Sequence, residues 1–178
     1  MDNVKRVSIT GMGIALFVVL TLCLQVPVFE NYYLCLGYVA MAVYCFSVGT
    51  AEGTIVGVLG VILYCLLTSG LRGMPGWAAG NVVIGLSLGL LFKLTRDRKP
   101  GIPVIAASVV VIVAACAAGI LGVKSVVEWL LYSQPLVVRI GKNIYAFWAD
   151  AFVLVLSLPV CRLVDGRIRK YLPDIARH

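Results

Sequence analysis

Charged residues are scarce in this chain of 178 residues: 13% are charged, 61% are hydrophobic, and the mean hydropathy is +1.02. Soluble globular domains average about 45–50% apolar and about 25% charged residues. The composition therefore argues against a water-soluble domain, a disordered chain and a disulfide-rich scaffold. It predicts an integral membrane protein with a single domain, long enough for about six spans of ~20 residues each.

The usual motifs of catalysis and energy conversion are missing as well. The only histidine is His178, so a Ser/His/Asp arrangement cannot form within the chain, and no G-x-x-x-x-G-K-[ST] loop for ATP is present. The candidate acid–base groups lie on separate segments: Glu30, Glu52, Glu128 and Asp150. We therefore expect neither an enzyme nor a bound metal or other cofactor.

Six long apolar runs are what the sequence does contain. They occupy residues 7–28, 33–48, 53–69, 74–94, 102–123 and 144–160. The runs are continuously apolar rather than alternating, which favours helices over the strands of a barrel. No small-residue cleavage site follows the first run, so it is interpreted as a retained helix. The predicted fold is an all-α integral membrane protein with a compact bundle of six transmembrane helices.

The positive charges are distributed unevenly between the loops. Eleven of the 15 lysines and arginines flank the first span, join the fourth to the fifth, or follow the sixth. Because cytoplasmic loops carry an excess of Lys and Arg, both termini are expected in the cytoplasm, with residues 163–178 as a basic tail. This bias also explains the net charge of +7 without a nucleic-acid partner.

Polar residues on the opposite, extracellular side form the candidate site. Trp77 and Asn81 are four residues apart and share a helix face, and Asn143 shares one with Phe147 and Asp150. Polar groups within the membrane need partners in protein or a cavity. For Asn81 and Asp150, a hydrogen bond between helices and the lining of a ligand cavity both remain open.

Simpler explanations exist for other residues of these loops. An interfacial aromatic belt would account for Tyr32, Tyr33, Trp129 and Tyr132. Glu128 and Lys124 are expected to face water, and Arg72 either caps a turn or belongs to the site. Residues 126–131, which end before Pro135, either continue the fifth helix or lie on the membrane surface as a lid.

Small residues four apart recur on nearly every predicted helix and suit close packing between helices. Gly11 and Ala15 differ from the other pairs because they lie near the start of the first helix. There they offer a surface on which a partner could dock.

Two glycine-rich stretches, together with this small-residue pair, carry a resemblance to a family. They read GTAEGTIVGVLG at residues 49–60 and GMPGWAAGNVVIG at residues 73–85. The chain resembles the S component of an energy-coupling factor (ECF) vitamin transporter. The resemblance implies a subunit in a prokaryotic plasma membrane that binds a micronutrient on the outside. It also implies docking on a transmembrane coupling (T) protein driven by two cytoplasmic ATPases.

The resemblance also implies which residues do this work. Family members dock through an A-x-x-x-A pattern on the first helix, which corresponds here to Gly11 and Ala15. The residues placed where the family binds its substrate are Tyr33, Arg72, Trp77, Asn81, Trp129, Arg139, Lys142, Asn143 and Asp150. Basic residues on the outer side favour a ligand with a carboxylate or phosphate, and the aromatic residues favour one with a ring.

Other classes of protein make different predictions. A structural scaffold of the cell envelope would bind no small molecule in fixed ratio. A membrane enzyme acting on lipids would depend on a pair among Glu30, Glu128 and Asp150. A self-contained channel or secondary carrier is disfavoured because the sequence has no evident inverted repeat or interrupted midplane helices.

Overall fold

The protein is represented by a computed structural model, and its structure is described for residues 3–23, 26–29, 32–98 and 101–171. Within these ranges helices predominate, and a short antiparallel hairpin forms the only sheet. In chain order the elements are α1 Asn3–Cys23, β1 Val26–Phe29, β2 Tyr32–Leu34, α2 Gly37–Ser47, α3 Thr50–Leu67, α4 Met74–Thr95, α5 Ile102–Cys116, a π-helical segment Ala117–Lys124, α6 Ser125–Tyr132 and α7 Leu136–Tyr171.

Five helical stretches among the described residues are long and apolar enough to cross a membrane. They are Val4–Cys23, Thr50–Leu67, Met74–Thr95, Ile102–Tyr132 and Leu136–Ile168. Helix α2 has 11 residues, whereas a span needs about 20. The prediction of an all-α membrane protein is thus confirmed at the level of its class.

The boundaries of the first two predicted spans are wrong. The first helix ends at Cys23 rather than residue 28, and residues 32–34, expected to open or precede the second helix, form β2. Pro27 cannot donate the backbone hydrogen bond that a helix interior requires, and it lies in β1 instead. Two consecutive tyrosines in β2 suit a strand better than a helix.

The last span was predicted too short. Helix α7 has 36 residues, not the 17 of the apolar run, and at 1.5 Å per residue it is about 54 Å long. Its ends carry Arg139, Lys142 and further basic residues. A search for apolar runs leaves these residues out of the predicted span, although lysine and arginine form helices readily. The fifth run likewise continues to Tyr132, so residues 126–131 extend the fifth helix and are not a separate surface segment.

Glycine brings the helices into close contact. A Cβ atom on Gly80 would lie 2.7 Å from the carbonyl oxygen of Gly119, and one on Gly53 would lie 2.5 Å from the backbone nitrogen of Cys45. A Cβ atom on Gly13 would lie 2.6 Å from the side chain of Val56. Such close approach gives helices in lipid much of their packing energy.

The two ends of the bundle differ in their polar contacts. The β1–β2 hairpin, the α3–α4 turn (residues 68–73) and the α6–α7 turn (residues 133–135) lie together at one end, named the hairpin end. At the opposite end, Arg6 Nε donates to Glu52 Oε1 over 2.8 Å and joins α1 to α3. Arg96 Nη2 lies 2.9 Å from Asp165 Oδ1 and joins the end of α4 to α7.

Candidate ligand-binding site

A hydrogen-bonded group in the interior connects three helices towards the hairpin end. The Tyr38 hydroxyl of α2 donates to Asn81 Oδ1 of α4 over 2.7 Å and accepts from Trp77 Nε1 over 2.9 Å. Asn81 Nδ2 in turn donates to the Gly57 carbonyl oxygen of α3 over 2.9 Å. Tyr38 and Asn81 are completely buried. Asn81 therefore does make the hydrogen bond between helices that the sequence left open.

Asp150 approaches this group from α7. It is buried, and its carboxyl group is close enough to the Tyr38 hydroxyl and to Lys124 to interact with both electrostatically. A tyrosine hydroxyl has one proton, so Tyr38 can donate it to Asn81 or to Asp150 but not to both at once. A buried carboxyl group with shared partners is well suited to bind a polar group of a ligand.

Two glycines of α4 let the fifth helix approach this interior group. A Cβ atom on Gly76 would lie 3.1 Å from the Lys124 carbonyl oxygen, and Gly80 packs directly on Gly119. Both contacts fall on the π-helical segment, a type of helix that occurs frequently at functional sites. Lys124 is half-buried, so the expectation that it faces water is only partly met.

A second polar group lies between α6 and α7. Asn143 Nδ2 donates to Ser125 Oγ over 2.9 Å and to Glu128 Oε2 over 3.2 Å. Arg139 Nη1 is 3.6 Å from the same Glu128 oxygen. Glu128 is 4% exposed, so the prediction that it faces water is wrong. The reason is that α6 continues the fifth helix and turns this side chain towards α7.

Two arginines meet one tyrosine at the edge of this second group. The Arg72 guanidinium carbon lies 5.0 Å from the centre of the Tyr132 ring, and that of Arg139 lies 5.6 Å from it. The Tyr132 hydroxyl also donates to the Arg72 carbonyl oxygen. These contacts join the α3–α4 turn to the end of α6 and to α7.

The predicted site residues thus separate into three sets. Trp77, Asn81 and Asp150 meet around Tyr38, and Arg72, Arg139 and Asn143 belong to the second group. Lys142 is exposed and Trp129 is 44% exposed, so neither joins the two polar groups. Tyr33 is part of β2, and its side chain lies outside the described residues.

Sequence reasoning missed several residues of the site: Tyr38, Lys124, Ser125 and Glu128. Tyr38 lies in the short helix α2, within the apolar run of residues 33–48, where hydropathy alone gives no indication of a site. For Ser125 and Glu128 the available signal was their spacing of three, which places them on one face of a helix. Their orientation towards Asn143 depends on how α6 packs, which the sequence pattern does not specify.

The small-residue pair of α1 lies elsewhere in the molecule. Gly11 and Ala15 are exposed, and no atom lies within 4 Å of a Cβ built on Gly11. By contrast, Gly13 is buried against Val56 and Tyr44. Among the described residues, none packs closely against Gly11 on this face of α1.

These features define a class of protein: a polytopic membrane helical bundle with a buried polar and aromatic site near one end. A family model described as "ECF-type riboflavin transporter, S component" matches residues 1–161. The chain belongs to this family, whose members are the substrate-binding subunits of transporters and not enzymes. The resemblance to ECF S components is thereby confirmed. A comparison with curated proteins found no match.

Proposed function

We propose that the chain captures riboflavin, or a closely related flavin, from outside a prokaryotic plasma membrane for import by an ECF complex. The observation that carries this proposal is the match of a riboflavin-transporter S-component family to residues 1–161. The interior site supports it. A flavin combines a planar ring with several hydrogen-bonding groups, and the site combines aromatic side chains with buried amide and carboxyl groups.

The proposed roles follow from the contacts of each residue. Trp77 forms an edge-to-face contact with Tyr64, at 5.8 Å between ring centres and an angle of 79°, and it offers an aromatic surface to the flavin ring. Asp150 and Asn143 provide hydrogen-bonding groups on one face of α7. Asn81 acts mainly by holding Tyr38 in place. We assign Arg72, Arg139 and Lys142, with Trp129 and Tyr33, to the entrance of the site.

The proposed topology has six spans with both termini in the cytoplasm. The charge bias supports it, because eleven of the 15 basic residues follow this orientation. In this arrangement the hairpin end faces outward, and the short α2 is a sixth span that β2 and Leu36 extend towards the outer surface. Residues 163–178 then form the basic cytoplasmic end of the chain.

Energy for uptake would come from other subunits. We propose that α1 docks through Gly11 and Ala15 on a transmembrane T protein, which two cytoplasmic ATPases drive. The exposed small residues on α1 support close helix–helix approach at this surface. The proposal assigns no ATP-hydrolysing or catalytic role to the chain itself.

Binding of riboflavin to the purified chain tests the proposal. The chain in detergent is titrated with riboflavin while the quenching of flavin fluorescence is recorded. We expect saturable binding of one flavin per chain, weakened about tenfold or more by Trp77→Phe. Trp148→Phe is the matched control, because Trp148 is 65% exposed on α7 and should have no effect. A chain that binds no flavin would refute the proposed substrate.

A further inference from the structure

The Asn143 side chain is held on its nitrogen side only. Nδ2 donates to Ser125 Oγ over 2.9 Å and to Glu128 Oε2 over 3.2 Å. These two bonds use both hydrogens that an amide nitrogen carries. Among the described residues the carbonyl oxygen Oδ1 has no hydrogen-bond partner. The unused group of this buried side chain is therefore an acceptor.

The neighbours of Asn143 do not support the opposite orientation of its amide group, in which Oδ1 and Nδ2 exchange places. The Ser125 hydroxyl donates its proton to the Ile120 carbonyl oxygen over 3.2 Å, so a lone pair is what it offers to Asn143. An ionised carboxylate has only acceptors. If the Asn143 amide were turned over, its oxygen would face two acceptors, and at least one hydrogen bond would be lost.

The same network fixes Glu128. Its Oε2 atom lies 3.6 Å from Arg139 Nη1, and the Arg139 guanidinium lies over the Tyr132 ring at 5.6 Å. The bond from Ser125 reaches back five residues to Ile120, which is the spacing of the adjoining π-helical segment. The local shape of the fifth helix thus places both acceptors against Asn143.

The other interior asparagine differs. Asn81 Oδ1 already accepts from Tyr38 over 2.7 Å, and its Nδ2 donates to Gly57. Of Asn81 and Asn143, only Asn143 has a carbonyl oxygen that accepts no hydrogen bond from the described residues, so both of its lone pairs are available to another molecule.

We propose that Ser125 and Glu128 are positioning residues that hold the Asn143 carbonyl oxygen available to the ligand, so that this position selects a ligand group that donates a hydrogen bond. This proposal rests on the proposed function for the identity of the ligand. Within that site, it identifies the Asn143 carbonyl oxygen as an atom that contacts the ligand. Within a flavin, the ring imide N–H and the hydroxyls of the side chain are donors of this kind.

An exchange of groups between positions 128 and 143 tests the inference by riboflavin titration. Asn143→Asp retains an acceptor but places two carboxylates together, and we expect about tenfold weaker binding. Adding Glu128→Gln restores one donor and one carboxylate to the pair, so the double variant should recover most of the lost affinity. In the Asn143→Leu background, Glu128→Gln should recover nothing, because no acceptor remains.

Contradictory outcomes are equally specific. If Asn143→Leu binds riboflavin as tightly as the unmodified chain, Asn143 does not contact the ligand. If the Asn143→Asp/Glu128→Gln double variant remains as weak as Asn143→Leu, the acceptor at this position is not what the ligand needs.

Ser125→Ala should weaken binding, whereas Ser108→Ala should not. Ser108 is also buried, but among the described residues it bonds only within its own helix, to the Val104 carbonyl oxygen. Thermal unfolding of each variant checks that it folds.

A ligand-free measurement separates this inference from the proposed substrate. The chain has four asparagines, Asn3, Asn31, Asn81 and Asn143, so labelling asparagine with nitrogen-15 gives few side-chain signals, and Asn143→Leu identifies one. Both Nδ2 protons of Asn143 should exchange slowly with solvent, and faster in Glu128→Gln. Fast exchange in the unmodified chain would overturn the inference, whereas slow exchange without riboflavin binding would refute only the substrate.

Discussion

Tyr38 and Asn81 are joined by a hydrogen bond of 2.7 Å between two completely buried side chains. The bond connects the short apolar helix α2 to α4. Because Trp77 donates to the same hydroxyl, it also places an aromatic residue of the proposed site. The fold and the proposed ligand site are thus linked through Tyr38, and variants of these residues should separate effects on stability from effects on binding.

Removal of the Tyr38 hydroxyl should destabilise the protein. Tyr38→Phe leaves Asn81 Oδ1 and Trp77 Nε1 without their buried partner, which costs about 1–3 kcal/mol. Thermal unfolding in detergent measures the loss. Asn81→Leu in the Tyr38→Phe background should cost less than Asn81→Leu alone, because the two residues act as a pair. Additive losses would show that the hydrogen bond contributes little.

Asp150→Asn should weaken riboflavin binding by roughly ten- to a hundredfold, since a buried hydrogen-bonding group that loses its partner costs about 1–3 kcal/mol. The matched control is Asp165→Asn. Asp165 is also a buried carboxyl group on α7, but it interacts with Arg96 at the opposite end of the bundle. The control should leave the dissociation constant unchanged. Equal effects of the two variants would mean that Asp150 supports the fold rather than the ligand.

Gly11→Leu and Ala15→Leu should abolish uptake by the complete transporter while leaving riboflavin affinity intact. Both positions are exposed on α1, and in the part of the chain that the structure describes no atom lies within 4 Å of a Cβ built on Gly11. Gly13→Leu is the contrasting variant, since Gly13 is packed against Val56, and it should lower the unfolding temperature. Uptake in cells and binding in detergent are compared for all three. Normal uptake by both exposed variants would exclude this face of α1 from docking.

Gly80→Ala should be destabilising by about 1–3 kcal/mol, because overpacking forces the backbones apart. The added methyl group would lie 2.7 Å from the Gly119 carbonyl oxygen. Gly141→Ala, at a position on α7 with no atom within 4 Å, should be neutral or slightly stabilising, as expected from helix propensity. Unfolding temperatures report both effects. An unchanged value for Gly80→Ala would contradict the close contact between α4 and the π-helical segment.

Much of the fold follows from composition and hydropathy alone. Continuous apolar runs predict helices, and the glycine pairs predict close contacts such as that of Gly53 with Cys45. The errors occurred where hydropathy and local structure diverge. Polar residues at the ends of α7 hid about half of that helix, and Pro27 lies within an apolar stretch that pairs as a strand.

The site was less accessible to prediction than the fold. Asn81 and Asp150 attracted attention because polar residues are costly in a membrane, and they do meet in the interior. Glu128 was misjudged because its burial depends on the π-helical segment, which shifts the faces of α6 relative to α5. Helical periodicity assumes 3.6 residues per turn, so it cannot anticipate such a shift.

Transport by reconstituted proteins tests the central claim most directly, namely that this chain is a receptor without a motor of its own. Proteoliposomes containing the chain alone, or the chain with a T protein and two ATPases, are supplied with ATP inside and radiolabelled riboflavin outside. The account predicts flavin binding in both preparations but accumulation only in the second. Sustained accumulation by the chain alone, or failure to bind flavin in either preparation, would contradict it.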